Sequence, residues 1–185
     1  MPVYIAMLRG INVAGHNPVR MSRLQEVFSR MGFTQARTYI QSGNVIFKAA
    51  KRSAADLSKA IEKEILSEFG FAVVVFCRSS AELAEVIQRN PLIKSKGVDR
   101  SRLHVSFLAE APAEAPLKKL AGFAAGGEQL HCDGRALYLY CPDGYGNSKL
   151  ANSNVERVLK VASTTRNWKT VNTLYQMSLA NPETE

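Results

Sequence analysis

The sequence has 185 residues, of which 46% are hydrophobic, and this composition supports a folded core and excludes general disorder. No apolar run approaches the roughly 20 residues that a membrane-spanning helix needs. In the N-terminal stretch MPVYIAMLRG, positive charge follows the apolar residues, whereas a secretory signal places it before them, so we expect a mature β-strand there. We therefore expect a soluble, basic, cytoplasmic protein, with a formal net charge of +8 and no membrane partner.

Elements predicted for the first part of the chain follow a β-α-β-β-α-β order. A strand over Tyr4–Leu8 precedes a polar loop, and a capping box at Ser22 and Gln25 then opens an amphipathic helix. Two short strands, 37–41 and 44–48, are joined around a turn. A helix over 53–69 and a strand over 73–77 complete the series. This order is the ferredoxin-like arrangement.

The second part of the chain reads α-β-α-β-β-α-α. A capping box at Ser79 and Glu82 opens a helix, and a charged loop over 94–102 precedes a strand over 103–108. A short helix near 117–123 and a hairpin turned by Asp133-Gly134 follow. Two helices end the series, the last with Trp168 on its apolar face.

These patterns predict an α+β protein with two α+β subdomains, the N-terminal one ferredoxin-like. The predicted boundaries are 1–78 for the first subdomain, 79–100 for a helix and charged linker, and 101–185 for the second subdomain with its C-terminal helices. The order of elements in the second half echoes that of the first, although no repeat is visible in the sequence itself.

The residue types that carry hydrolytic or metal chemistry are scattered. The three cysteines form no C-x-x-C pair, and the three histidines are isolated from other ligands. No G-x-S-x-G motif and no evident pair of catalytic carboxylates is present. We expect no metal site and no cofactor, and the sequence nominates no catalytic base or nucleophile, so enzymatic activity stays an open question.

Positive charge is concentrated at the start of the chain. Residues 1–52 carry eight Lys and Arg against the single acid Glu26, whereas the remainder is nearly balanced. Such asymmetry suggests attraction to phosphate-bearing partners. A basic surface that only keeps the protein soluble is the alternative, and it is favoured because three of the arginines sit on one predicted helix that any surface could carry.

Two polar segments in the first half are candidates for an anion site. The first, Arg9-Gly-Ile-Asn-Val-Ala-Gly-His-Asn17, links a strand to a helix, and glycines and a helix N-terminus there suit a phosphate. It lacks the Lys-Ser/Thr of a P-loop, so a purely structural loop is the alternative. The second, Gln41-Ser42-Gly43-Asn44, has the composition of a hairpin turn. Its candidate ligand contacts are Gln41, Ser42 and Asn44, beside Arg9, Asn12 and Asn17 from the first segment.

Two further polar segments lie in the second half. In Gly144-Tyr-Gly-Asn-Ser-Lys149, Ser148 is placed to cap a helix and Lys149 to bring a cation to its N-terminus. A second capping box at Ser153 and Glu156 indicates instead a later helix start. In Thr164-Thr-Arg-Asn-Trp168, Arg166 suits a phosphate or carboxylate, either Thr165 or Asn167 suits a helix cap, and Trp168 suits the core.

Four stretches of this sequence resemble a bacterial family catalogued as domain of unknown function 1697. They are YIAMLRGINV with Asn17, TYIQSGNVIF, YLYCPDGYGNSKL and TTRNWKTV. The resemblance implies two α+β subdomains, the first ferredoxin-like, and it implies no activity. It adds weight to the polar residues of the four segments without saying what they contact.

Three functional hypotheses follow. The leading one is a binding module for an anionic, phosphate-bearing ligand, either a nucleotide or a short nucleic acid. For nucleic acid, Tyr4 and Phe47 are aromatic residues on predicted strands, as in the sheets of RNA-recognition domains that stack bases on aromatic side chains. The alternatives are an enzyme that clamps a phosphorylated or carboxylated metabolite with Lys149 and Arg166, and a structural or partner-binding protein whose motifs stabilise the subdomain junction.

Overall fold

The computed structural model describes residues 1–180, and residues 181–185 lie outside the described part. Contacts divide the chain into two units. The first comprises Met1–Ala84 and the segment that begins at Thr173, and the second comprises Glu85–Asn172. Within residues 1–180 no helix has the length and apolarity required to cross a membrane.

The first unit has the ferredoxin-like fold that the sequence predicts. Its elements are β1 (Val3–Leu8), α1 (Met21–Arg30), β2 (Thr34–Tyr39), β3 (Asn44–Lys48), α2 (Ala54–Phe69) and β4 (Val75–Ser79), followed by α3 (Ser80–Gln88). The strands form one antiparallel sheet in the order β2-β3-β1-β4. The prediction of an α+β protein with an N-terminal ferredoxin-like subdomain is therefore confirmed.

A large hydrophobic cluster of the first unit lies on one face of this sheet. Because side chains alternate between the two faces of a strand, Tyr4, Ala6 and Leu8 point the same way from β1. They belong to a cluster that includes Leu24 and Phe28 of α1, together with Leu57, Ile61 and Ile65 of α2. The apolar stripes predicted for both helices thus cover one face of the sheet.

The second unit repeats the same arrangement. It contains β5 (Leu103–Leu108), α4 (Glu114–Ala121), β6 (Gln129–Asp133), β7 (Ala136–Tyr140), α5 (Asn152–Leu159) and β8 (Ser163–Asn167), with 3-10 turns at Pro91–Lys94, Arg100–Arg102 and Tyr145–Asn147. Helix α6 (Trp168–Leu179) follows, and its residues from Thr173 onward belong to the first unit. The antiparallel sheet of the second unit has the order β6-β7-β5-β8. The predicted echo is therefore a complete β-α-β-β-α-β unit, because the polar segment before α6 forms a strand.

The strand pairings of the two units match residue by residue. Each residue of β1 corresponds to the residue of β5 whose number is 100 higher. Tyr4 pairs with Ser79 at the start of the β1–β4 ladder, and His104 pairs with Asn167 at the start of the β5–β8 ladder. Two arginines occupy matching positions one residue further along. Arg78 pairs with Ile5, and Arg166 pairs with Val105.

The strand pairing in the β6–β7 hairpin differs from the predicted pairing. We predicted Asp133-Gly134 as the two loop residues, but Asp133 pairs with Ala136, so the loop is Gly134-Arg135. Gly134 has a φ of +55°, whereas Arg135 is not among the residues with positive φ. This pattern matches turns with Gly at the first loop position, not Asn-Gly-type turns with both residues left-handed.

Two predicted helix starts are also corrected. Helix α1 begins at Met21 after Arg20, with no side-chain cap, so the capping box at Ser22 and Gln25 is wrong. Gln25 Nε2 donates instead to the carbonyl oxygen of Ala36 on β2, at 3.2 Å. The short helix expected near 117–123 spans Glu114–Ala121.

Candidate functional site

The first polar segment is organised around Asn12. Its Oδ1 accepts the backbone N–H of Val19 at 2.8 Å, and its Nδ2 donates to the carbonyl oxygens of Val19 and Gln41, each at 2.9 Å. Asn12 has a φ of +54°, a left-handed conformation that Asn tolerates better than most residues. One side chain therefore ties the start of α1 to the β2–β3 turn.

The second polar segment forms that turn. Gly43 has a φ of +73°, and its carbonyl oxygen accepts the N–H of Leu8 at 2.8 Å. Asn44 is buried and donates to Ser42 Oγ at 2.8 Å and to the carbonyl oxygen of Tyr39 at 3.3 Å. Bonds within the turn and a bond from β1 thus both hold the turn residues.

The first two segments therefore meet at one end of the first sheet, which we call the loop-end cluster (residues 9–20 and 40–44). Asn17 belongs to it as well, since its Nδ2 donates to the carbonyl oxygen of Gly10 at 3.1 Å. The three asparagines Asn12, Asn17 and Asn44 are engaged inside the cluster. Gln41 is exposed and Arg9 is partly exposed.

The third polar segment does not cap a helix as predicted. Helix α5 begins at Asn152 after Ala151, with no side-chain cap, so neither Ser148 nor Ser153 serves as its N-cap. Ser148 is buried, and its Oγ accepts the N–H of Leu150 at 2.9 Å. Lys149 is exposed.

The fourth polar segment is the edge strand β8 and not a loop. Thr165 and Arg166 consequently point to opposite faces of the second sheet. Arg166 Nη1 donates to Thr164 Oγ1 at 2.8 Å and to the carbonyl oxygen of Thr165 at 3.0 Å, and burial lowers the pKa of this guanidinium to about 10. Asn167 Oδ1 accepts the N–H of Thr170 at 2.8 Å, which caps α6 as predicted. Trp168 is buried, also as predicted.

A polar network on the helix-covered face of the second sheet joins the third and fourth segments. Tyr145 Oη donates to Thr165 Oγ1 at 2.9 Å, and Thr165 Oγ1 lies 2.6 Å from Ser106 Oγ and 3.1 Å from Asn152 Oδ1. Ser163 Oγ donates to the same Asn152 oxygen at 2.8 Å. Burial raises the pKa of Tyr145. The one sequence feature that could have indicated this network is Ser106, a polar residue inside the apolar strand LHVSFL.

His104 packs against this network through the ring of Tyr145. Its ring stacks on Tyr145 with centroids 4.6 Å apart, and Nδ1 lies 3.3 Å from the carbonyl oxygen of Arg102. Burial lowers the pKa of His104 below its ordinary value of 6.5.

This pKa shift predicts a pH effect on stability. The unfolded chain binds a proton at His104 more readily than the folded protein does. The free energy of unfolding should therefore be highest above about pH 6.5, and should fall as the pH drops from there to the folded pKa. Urea denaturation of wild type and His104→Phe at several pH values measures the effect. An equal fall in both proteins would contradict it.

Several predicted residues serve the core instead of a ligand. Tyr4 and Phe47 are buried and stack on each other with centroids 5.9 Å apart, so they are not available to stack on bases. Within residues 1–180 no three His, Cys, Asp or Glu side chains converge as metal ligands would. Burial raises the pKa of the Cys77 thiol to about 12.

Comparison with known proteins identifies the family. The structure is similar to that of the conserved bacterial protein SP0830 from Streptococcus pneumoniae, with a TM-score of 0.74 and 23% identity, over 96% of this chain and 98% of that chain. At this identity the likeness shows the fold alone. No curated protein matches the chain. The family model described as a protein of unknown function, DUF1697, matches residues 1–138. Because this match spans more than half of the 185 residues, the chain belongs to the DUF1697 family.

Proposed function

We propose that this protein binds an anionic, phosphate-bearing ligand at the loop-end cluster of its first unit. The observation that carries the proposal is the start of α1. This helix has no side-chain cap and no acidic residue in its first turn, and Arg20 stands at its N-cap position. Free N–H groups and the positive end of a helix dipole favour an anion there.

The neighbouring contacts add to this anion preference. Asn12 bonds both the N–H and the C=O of Val19, and the same side chain bonds Gln41, so the helix start is held beside the β2–β3 turn. Arg20 is exposed, and Arg9 is partly exposed at the end of β1. A phosphate at the helix start would therefore meet backbone N–H groups together with guanidinium groups.

The distribution of the other cations favours a small ligand such as a nucleotide over an extended nucleic acid. Arg23 and Arg30 both form ion pairs with Glu68, which neutralises much of the charge on α1. Lys48 pairs with Val3 at the opposite end of the sheet from the Met7–Asn44 pair. Arg23, Arg30 and Lys48 thus do not extend the cations of the loop-end cluster, Arg9 and Arg20, into a continuous track for a phosphate backbone.

Calorimetric titration with pyrophosphate, ATP and single-stranded RNA at low salt tests the proposal. We expect Arg20→Ala to weaken ATP binding at least about tenfold, since a hydrogen bond to a charged group contributes about 1.5–3 kcal/mol. Wild-type affinity should also fall as salt is added. Arg157→Ala, an exposed arginine on α5, is the matched control and should bind like wild type. Absence of binding to all three ligands, or equal losses in both variants, would refute the proposal.

A further inference from the structure

Each ferredoxin-like sheet has two edge strands, and three of the four edges are blocked by side chains or by a bulge. On β4, the N–H groups of Val75 and Cys77 are taken by Glu62 Oε1 at 2.8 Å and by Ser58 Oγ at 3.2 Å, both from α2. Edge strands with occupied backbone groups do not recruit another strand.

The edges β8 and β2 are blocked in comparable ways. On β8, Ser163 donates its N–H to Glu156 Oε1 at 2.7 Å and accepts Asn152 Nδ2 at 3.2 Å. On β2, the register shifts after Thr34, and the carbonyl oxygen of Ala36 accepts Gln25 Nε2. A bulge and a capped carbonyl both work against pairing with a further strand.

The fourth edge, β6, is open. It pairs with β7 over five consecutive residues without a register shift. The two-residue loop makes Asp133 and Ala136 a hydrogen-bonded pair, and hydrogen-bonded pairs alternate along an antiparallel ladder. Leu130 and Cys132 therefore direct their N–H and C=O groups away from β7. No residue among 1–180 bonds to these four backbone groups.

We propose that β6 pairs antiparallel with β6 of a second copy of this chain, with a two-fold axis at His131. In this register Leu130 of each copy lies opposite Cys132 of the other, and each such pair exchanges two backbone hydrogen bonds. The interface is self-complementary, as a two-fold contact requires, and it joins two four-stranded sheets into one of eight strands.

The charges along β6 fit a second copy in this orientation. Gln129, Leu130 and Cys132 are uncharged, so none of these three residues meets a like charge on the other copy. Asp133 of one copy lies opposite Gln129 of the other. Glu128 lies opposite the Gly134-Arg135 loop, so the acidic start of one strand meets a loop that carries a cation.

Sedimentation analysis of the full chain over a range of concentrations tests the proposal, and we expect a monomer–dimer equilibrium. His131→Lys places two cations opposite each other at the axis and should weaken the dimer about fivefold or more, since like charges directly opposite destabilise a strand pair. Gln129→Lys adds the same charge to the same strand but faces Asp133, so it should not weaken the dimer. Equal losses in both variants, or a monomer at every concentration, would overturn the proposal.

Cross-linking tests the register independently of affinity. Residues opposite each other in a non-hydrogen-bonded pair have Cα atoms about 4.5 Å apart, which a disulfide spans. In a Cys132→Ser background, His131→Cys should therefore form an intermolecular disulfide on mild oxidation. Gln129→Cys should not, because the two copies of residue 129 lie about 14 Å apart, four strand positions. Equal cross-linking at both positions would contradict the register.

Discussion

Replacing Gly43 with Ala is expected to lower the free energy of unfolding by about 3 kcal/mol, from left-handed strain and overpacking together. The new Cβ would lie 2.7 Å from Ile11 Cδ1 and 2.9 Å from Leu8 Cβ, and φ at this position is +73°. Both neighbours are buried, so they have little room to move. Urea denaturation of the two proteins measures the difference.

Gly15→Ala separates the two causes. Gly15 also has a positive φ, of +79°, but a Cβ there meets no atom within 4 Å. Gly15→Ala should therefore lower the free energy of unfolding only by the left-handed strain, about 1–2 kcal/mol. In an Ile11→Ala background the cost of Gly43→Ala should shrink but persist, because the contact with Leu8 remains. If Gly43→Ala costs no more than Gly15→Ala, the close packing of Ile11 against the turn is not what selects glycine.

Thr165→Val should lower the free energy of unfolding by about 2–3 kcal/mol, because it keeps the shape of the side chain and removes the hydroxyl at the centre of the polar network. Tyr145 Oη would lose its Thr165 acceptor, Ser106 Oγ would lose its hydroxyl partner, and Asn152 Oδ1 would lose the hydroxyl that donates to it. Ser106 is fully buried, so water cannot replace the missing partner without rearrangement.

Two variants control this result. Thr34→Val makes the same chemical change at an exposed position on the edge strand β2, and its effect should stay within about 0.5 kcal/mol. In a Tyr145→Phe background, Thr165→Val should cost less than in wild type, because one of the groups left without a partner is already gone. Additive effects of Tyr145→Phe and Thr165→Val would show that the two hydroxyls do not interact.

The sequence predicted the elements whose periodicity is strong and missed those whose stability comes from pairing. The apolar strands β1 and β5 and the amphipathic helices α1 and α2 fall where the patterns place them. Strand β8 was missed because its sequence, Ser-Thr-Thr-Arg-Asn, has no apolar alternation. The hydroxyls of Ser163 and Thr165 are satisfied by Asn152 of α5 and by Ser106, which no local pattern reveals.

Capping boxes show how the same local signal succeeds or fails. At Ser79 and Glu82 both bonds of the box form: Glu82 donates its N–H to Ser79 Oγ at 3.1 Å, and Ser79 donates its N–H to Glu82 Oε2 at 2.7 Å. At Ser22 the box fails because the side chain of Gln25 is used by β2. At Ser153 it fails because Glu156 is used by Ser163. A distant partner decided the outcome in each failure.

The candidate site was only partly visible in the sequence. All six candidates of the first half do lie in the loop-end cluster, but the bond from Asn12 to Gln41 joins residues 29 apart, which no spacing rule predicts. In the second half, the unrecognised strand β8 hid the fact that Arg166 and Thr165 face opposite sides. The uncapped start of α1 was obscured by the capping box assigned to it.

The two units have the same strand pairing but differ in the side chains that this pairing places in the interior. At equivalent positions beneath the helices, the first unit places Ala6 beside Cys77, and the second places Ser106 beside Thr165. One pair is apolar, and the other is hydrogen-bonded. Two halves of a chain can therefore keep the same strand pairing while their interior side chains change from apolar to hydrogen-bonded. Their sequences can diverge until no repeat is recognisable, and the strand register is then the feature that still shows the common fold.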